Sequence, residues 1–224
     1  MNAEAQKRAA ALAALEFVAP DQIVGIGTGS TAGHFITVLA EEGPPVAGAV
    51  ASSVATARLL EVRGIRVLGL NDVGVLDIYV DGADEADHEL RLVKGGGGAL
   101  AREKVVAAAA KRFVCIIHEA KLVDRLGAFP LAVEVLEMAT GHVARTLESL
   151  GGRARRRDAF LTDNGNPVLD VAGLDFGDPE GLETTLDGIA GVVASGLFAR
   201  RRADTLLVGT AGGVVRLPKG TPAQ

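Results

Sequence analysis

Asp21-Gln22-Ile23-Val24-Gly25-Ile26-Gly27-Thr28-Gly29-Ser30-Thr31 is a short apolar run that breaks up into glycines and ends in two hydroxyl side chains. The run reads as a strand, because it is brief, branched at Cβ and bounded by turn-forming residues. From Ser30 to Leu39 apolar residues return at helical spacing. Strand, glycine turn and helix together are the opening unit of an α/β sheet.

The same alternation extends on both sides. Residues 3–19 are rich in Ala and Leu and read as a helix. Residues 46–51, 65–68 and 76–80 read as strands, with a helix over 54–63 between the first two. Leu92-Val93 leads into Gly95-Gly96-Gly97-Gly98, a helix follows over 99–110, and 113–117 is another apolar strand. Strands alternating with helices predict a mostly parallel sheet covered on both faces, which is a Rossmann-like arrangement.

After Phe129 the rhythm changes. Residues 131–135 read as a strand and 141–150 contain a helix. Two strands, 153–161 and 167–171, are joined through Thr162-Asp163-Asn164-Gly165-Asn166, in which Asn-Gly is a hairpin signal. A helix over 179–186 and a strand over 192–198 complete a βαββαβ order, the ferredoxin-like pattern. Residues 205–208 and 213–217 read as strands returning to the first sheet. The expected organisation is therefore an α/β domain of residues 1–128 plus 203–224, with an α+β domain of residues 129–202 inserted into it.

The bulk numbers fit this reading and exclude others. The chain has 224 residues, 48% hydrophobic and 23% charged, the balance of a globular protein. Its net charge is −5, Trp is absent and aromatic residues are 4%, so neither an overall basic surface nor stacking platforms for nucleic acid are expected. The arginine runs 153–157 and 200–202 read as a solvated face or an oligomer contact. The single cysteine, Cys115, sits in an apolar strand and reads as a small core residue. No signal peptide and no stretch able to cross a bilayer is seen, so a membrane role is not expected and the cytoplasm is the expected address.

Four strand ends carry polar loops, and a parallel sheet gathers ligands at that edge. The first holds Thr28, Gly29, Ser30 and Thr31 at a helix start, an anion cradle by its backbone N–H groups, with a tight strand-to-helix turn as the alternative. It lacks the Gly-Lys-Ser/Thr ending of a P-loop, and its glycines are one residue out of step for a dinucleotide fingerprint. The second, Asp81-Gly82-Ala83-Asp84-Glu85, brings carboxylates together in a way that suits proton transfer, a hard metal ion or a solvated acidic turn. The third is Lys94 followed by Gly95, Gly96, Gly97 and Gly98, whose entropic cost argues for backbone that wraps a ligand. The fourth, His118-Glu119-Ala120-Lys121, offers an ammonium group to a phosphate or to solvent. Glu103 lies on the helix after the glycine run, where a surface ion pair is the ordinary outcome. The four histidines, His34, His88, His118 and His142, show no metal-ligand spacing.

In combination these segments resemble ribose-5-phosphate isomerase type A. The likeness rests on Gly25-Ile26-Gly27-Thr28-Gly29-Ser30-Thr31-Ala32, on Asp81-Gly82-Ala83-Asp84-Glu85-Ala86-Asp87 and on Lys94-Gly95-Gly96-Gly97-Gly98-Ala99-Leu100-Ala101-Arg102-Glu103-Lys104. The resemblance implies interconversion of D-ribose 5-phosphate and D-ribulose 5-phosphate through a cis-enediolate, in the non-oxidative pentose phosphate pathway, without metal or cofactor. It implies Glu103 as general base, assisted by Asp81, Asp84 and Lys94. It implies substrate contacts from Thr28, Gly29, Ser30, Thr31, Asp81, Gly82, Ala83, Asp84, Lys94, Gly95, Gly96, Gly97 and Lys121, with Lys7 near the phosphate. It also implies a homodimer, or in some members a tetramer. His118 and Ala120 stand where the family more often has Asp and Ser. A sugar-phosphate-sensing regulator domain without turnover is the alternative carried forward.

Overall fold

The computed structural model of the chain describes residues 1–218; positions 219–224 of the expected α/β domain lie outside the described residues. The elements are α1 (Ala3–Ala14), β1 (Ile23–Ile26), α2 (Ser30–Glu42), β2 (Gly48–Ala51), α3 (Val54–Val62), β3 (Leu76–Asp81), β4 (Glu85–Ala86), β5 (Leu92–Val93), α4 (Leu100–Ala109) and β6 (Ala110–His118). Then come β7 (Leu131–Val135), α5 (Thr140–Ser149), β8 (Arg153–Arg156), β9 (Val168–Ala172), α6 (Pro179–Asp187), β10 (Val192–Ser195), β11 (Leu197–Phe198), β12 (Thr205–Thr210) and β13 (Gly213–Pro218).

A six-stranded sheet of order β13-β12-β6-β3-β1-β2 forms the centre. All its pairs are parallel except β12 with β13. In α2 the buried residues Ala32, Phe35, Ile36 and Leu39 recur at three- and four-residue spacing, so one stripe faces the sheet. With Ala10, Ala11 and Ala14 of α1 and Leu60 of α3 they close one face. Val106 and Ala107 of α4, with Tyr79, Phe113 and Phe198, fill the other. Burying one such large side chain is worth about 1.5–3 kcal/mol.

A four-stranded antiparallel sheet of order β10-β7-β9-β8 packs against α5 and α6 through Val143, Leu147 and Leu186. Its element sequence is βαββαβ. A three-stranded sheet, β11-β5-β4, takes β4 and β5 from between β3 and β6 and β11 from between β10 and β12.

Three expectations are corrected. Residues 65–68 form a single bridge, Ala49 to Val67, beside β2 instead of a strand. The run 153–161 leaves its sheet after Arg156, so the Asn-Gly turn, with Gly165 at φ 78°, caps a long connection and not a tight hairpin. The run 192–198 is cut at Gly196, whose N–H donates to Ala132 O (2.7 Å) while its carbonyl accepts from Lys94 N (2.8 Å). A Cβ there would lie 2.1 Å from Lys94 O, so the chain crosses between sheets on a residue with no side chain.

Candidate active site

From β1 the chain runs to β2 on one side and later returns as β3 on the other. Loops leaving the carboxyl ends of β1 and β3 therefore part, and an open parallel sheet forms its ligand crevice at such a switch point. A cavity of about 320 Å³ opens there. Thr28, Gly29, Ser30, Thr31, Gly82, Ala83, Asp84, Lys94, Gly95, Gly96, Gly97, Glu103 and Lys121 all line it, joined by Lys7 and His118.

One end of the cavity is cationic. The helix α2 begins at Ser30 after Gly29 (φ 116°), with no side chain capping its first N–H groups. Lys7 comes from α1 and Lys121 from the turn after β6. Gln6, buried beside Lys7, donates from Nε2 to Glu119 Oε1 (2.7 Å) and so ties α1 to that turn. Burial, with the ammonium groups of Lys7 and Lys121, lowers the His118 pKa. A helix N-terminus and two lysines around one space make an anion site. The Thr28 hydroxyl turns away from it, into a cluster with Ser52 Oγ (2.8 Å), Ser53 Oγ (2.8 Å) and Thr56 Oγ1 (3.2 Å).

The other end holds a buried carboxylate–ammonium group. Asp81 is fully buried and lies beneath the cavity. Its Oδ1 accepts from Thr28 N (3.1 Å) and Gly82 N (2.7 Å), and its Oδ2 from the Tyr79 hydroxyl. Lys94 Nζ reaches Asp81 Oδ2 at 2.8 Å, Gly82 O at 2.5 Å and Glu103 Oε2 at 3.2 Å. Burial alone would lower the lysine's pKa, but Asp81 and Glu103 outweigh it and hold the ammonium above its ordinary range. Glu103 shares the inward face of α4 with Leu100, Val106 and Ala107. Its Oε2 makes the ion pair with Lys94 but no aligned hydrogen bond. Burial first, then the Asp81 charge, push the Glu103 carboxyl up to about 8 against the opposing pull of Lys94. A carboxylate so disfavoured is a competent base near neutral pH.

The glycine run bends around the same space. Gly95 has φ 108° and Gly98 φ 76°. Asp84 Oδ2 accepts from Gly96 N at 2.8 Å. Among the described residues no group of three or more His, Cys, Asp or Glu is placed to hold a metal ion, and no helix is long and apolar enough to cross a membrane.

The family model of ribose 5-phosphate isomerase A (phosphoriboisomerase A) matches residues 48–213. The ribose-5-phosphate isomerase A of Acidithiobacillus ferrooxidans is 52% identical over 215 residues, which are 96% of this chain and 98% of that one. The chain belongs to the ribose-5-phosphate isomerase A family. The crystal structure of ribose 5-phosphate isomerase A from Neisseria gonorrhoeae superposes with a TM-score of 0.96 at 43% identity, over 98% of this chain and 99% of that one. A D-ribose-5-phosphate isomerase solved in complex with phospho-erythronic acid superposes with a TM-score of 0.93 at 36% identity, over 97% and 100% of the two chains. The regulator alternative finds no support among these relatives.

Sequence reasoning alone passed over several parts of this candidate site. Tyr79 read as one more apolar strand residue, yet its hydroxyl supports Asp81. Ser52, Ser53 and Thr56 gave no signal, yet their hydroxyls hold Thr28. Arg157 read as part of a solvated run, but it is only 19% exposed, and it donates to Gly95 O and Gly96 O at 3.2 Å each. A larger cleft of about 540 Å³, lined by valines and alanines of β2 and α4, lies away from the carboxylate–lysine group.

Proposed function

We propose that this isomerase interconverts D-ribose 5-phosphate and D-ribulose 5-phosphate with Glu103 as the base that carries the proton between C2 and C1. The observation that supports this most is the Glu103 carboxylate itself, buried on α4, opening on the cavity and held only by an off-axis ion pair. The phosphate rests on the α2 N-terminus with Lys121 and Lys7, which aims the sugar's first two carbons at the far end. The complex of a family relative with phospho-erythronic acid, a phosphorylated sugar acid, supports the same ligand class.

In the forward direction Glu103 takes the proton from C2. The C2–H electron pair forms the C1–C2 double bond, and the carbonyl π pair moves to O1. The protonated Glu103 then delivers that proton to C1, which takes it on the C1–C2 π pair, while the O2 proton passes to O1 and the O2–H pair forms the C2 ketone. Lys94, which reaches the cavity, balances charge on the enediolate oxygens, and Asp84 faces the same space for ring opening and proton exchange at oxygen. Asp81 touches no cavity surface, so it acts through Lys94 as a positioning residue. Such a positioned base contributes about 10²–10⁴ in rate.

The residues that act on substrate come from the unit formed by 1–128 and 203–224, with 129–202 as an inserted support. The same reading places the enzyme in the cytoplasm as a homodimer or tetramer, checked by light scattering on the purified chain. The deciding experiment follows ribulose 5-phosphate formed from ribose 5-phosphate by chelator-treated protein, wild type beside Glu103→Gln. Loss of turnover in the variant is expected; near wild-type turnover would overturn the assignment.

A further inference from the structure

Arg157 comes from the connection between β8 and β9, away from helix α4 that carries the proposed base. Asp170 on β9 fixes its guanidinium by accepting from Nε (2.9 Å) and Nη2 (2.5 Å). The ring of Phe160 lies 5.0 Å from the guanidinium carbon and packs on Gly98, where a Cβ would meet the ring at 2.2 Å. Thus anchored, Nη2 donates to Gly95 O and Nη1 to Gly96 O.

The consequence follows from peptide geometry. No described peptide bond is cis, and in a trans peptide the carbonyl and the N–H point in opposite directions. Holding the Gly95 carbonyl on the Arg157 side sends the Gly96 N–H to the other side, where it meets Asp84 Oδ2 at 2.8 Å. Holding the Gly96 carbonyl does the same for the Gly97 N–H. That N–H has no hydrogen-bond partner among the described residues, and Gly97 lines the cavity.

We infer that Arg157 is a positioning residue for the isomerisation: its two-pronged grip on consecutive glycine carbonyls sets the Gly97 N–H as a donor to a substrate oxygen and Asp84 in register beside it. A flexible glycine run would otherwise sample many orientations, and a donor earns its effect only if preorganised. Lysine, with one point charge, cannot span both carbonyls while keeping Asp170. The inference rests on the cavity being the isomerase site.

The test measures kcat, KM and thermal midpoint for Arg157→Ala and Arg157→Lys, with and without added guanidinium ion. Expected is a fall in kcat of roughly 10–100-fold in both, a KM within about threefold of wild type, and partial recovery of kcat in Arg157→Ala when guanidinium fills the gap. Wild-type kcat in either variant overturns the inference. A loss that guanidinium does not restore in Arg157→Ala, paired with a lowered thermal midpoint and with full activity in any folded Arg157→Lys, also overturns it by showing a purely structural role. Glu103→Gln, run beside them, separates the two readings: if it keeps wild-type turnover, the site assignment fails whatever Arg157 does.

Discussion

The carboxylate of Asp81 occupies the space that a side chain on Gly27 would need, with a Cβ at position 27 falling 1.8 Å from Asp81 Cγ. Gly27→Ala therefore pushes Asp81 off Lys94. A displacement near 1 Å at a reacting group costs about 10²-fold, so kcat/KM for ribose 5-phosphate is expected to fall by at least that factor. Overpacking also costs about 1–3 kcal/mol of stability, read by denaturant titration. Unchanged kinetics would separate Asp81 from the chemistry.

Tyr79→Phe removes the phenol that donates to Asp81 Oδ2 while keeping the ring packed at a tilt against Phe113, at a centroid distance of 5.0 Å. A buried acceptor left short of one donor costs about 1–3 kcal/mol. At about 2–4 °C per kcal/mol for a chain of this size, the melting temperature is expected to drop visibly, with a smaller effect on KM. Calorimetry at neutral pH checks it.

The raised Glu103 pKa fixes two signs. As a base, Glu103 works when deprotonated, so kcat/KM is expected to climb with pH through the acid limb and flatten as pH passes about 8. As a stability element it works the other way. The folded state holds the proton more tightly than the unfolded chain, so this group's contribution falls as pH rises from the ordinary carboxylate value towards 8. Glu103→Gln is accordingly expected to be more stable than wild type at pH 8, by about 1–3 kcal/mol, and nearly equal to it at pH 5. Melting curves of both proteins at the two pH values test this.

Lys121→Met removes a cation from the anion end without touching the carboxylates. A charge-assisted hydrogen bond is worth about 1.5–3 kcal/mol, so KM is expected to rise roughly 10–100-fold with kcat changed much less. The inhibition constant of inorganic phosphate is expected to weaken in parallel. A kcat-only effect would move Lys121 away from the phosphate.

What the sequence made legible followed local patterns. The spacing of Ala32, Phe35, Ile36 and Leu39 announces α2, and glycine clusters behind apolar runs mark the loops that line the cavity. Contacts between distant segments leave no such pattern. Arg157 lies 61 and 62 positions from the carbonyls it holds, and nothing in Arg153-Ala154-Arg155-Arg156-Arg157 distinguishes the last arginine from its neighbours. The break at Gly196 stayed hidden because the apolar run continues across it, while the cause, the Lys94 carbonyl, lies just past β5, far away in sequence. Glu103 was readable through the family resemblance, and it also falls at the helical spacing of Leu100, Val106 and Ala107, an acid in an otherwise apolar stripe.

The Gly196 carbonyl accepts from the Lys94 amide and its N–H donates to Ala132 of β7, so one bare backbone unit ties the Lys94 main chain to the antiparallel sheet. Anyone grafting a relative's 131–195 segment into this scaffold should keep Gly196 at the downstream joint. A side chain at that joint would strike the Lys94 carbonyl, 2.1 Å from a Cβ, and push the residue that carries the key amine out of place.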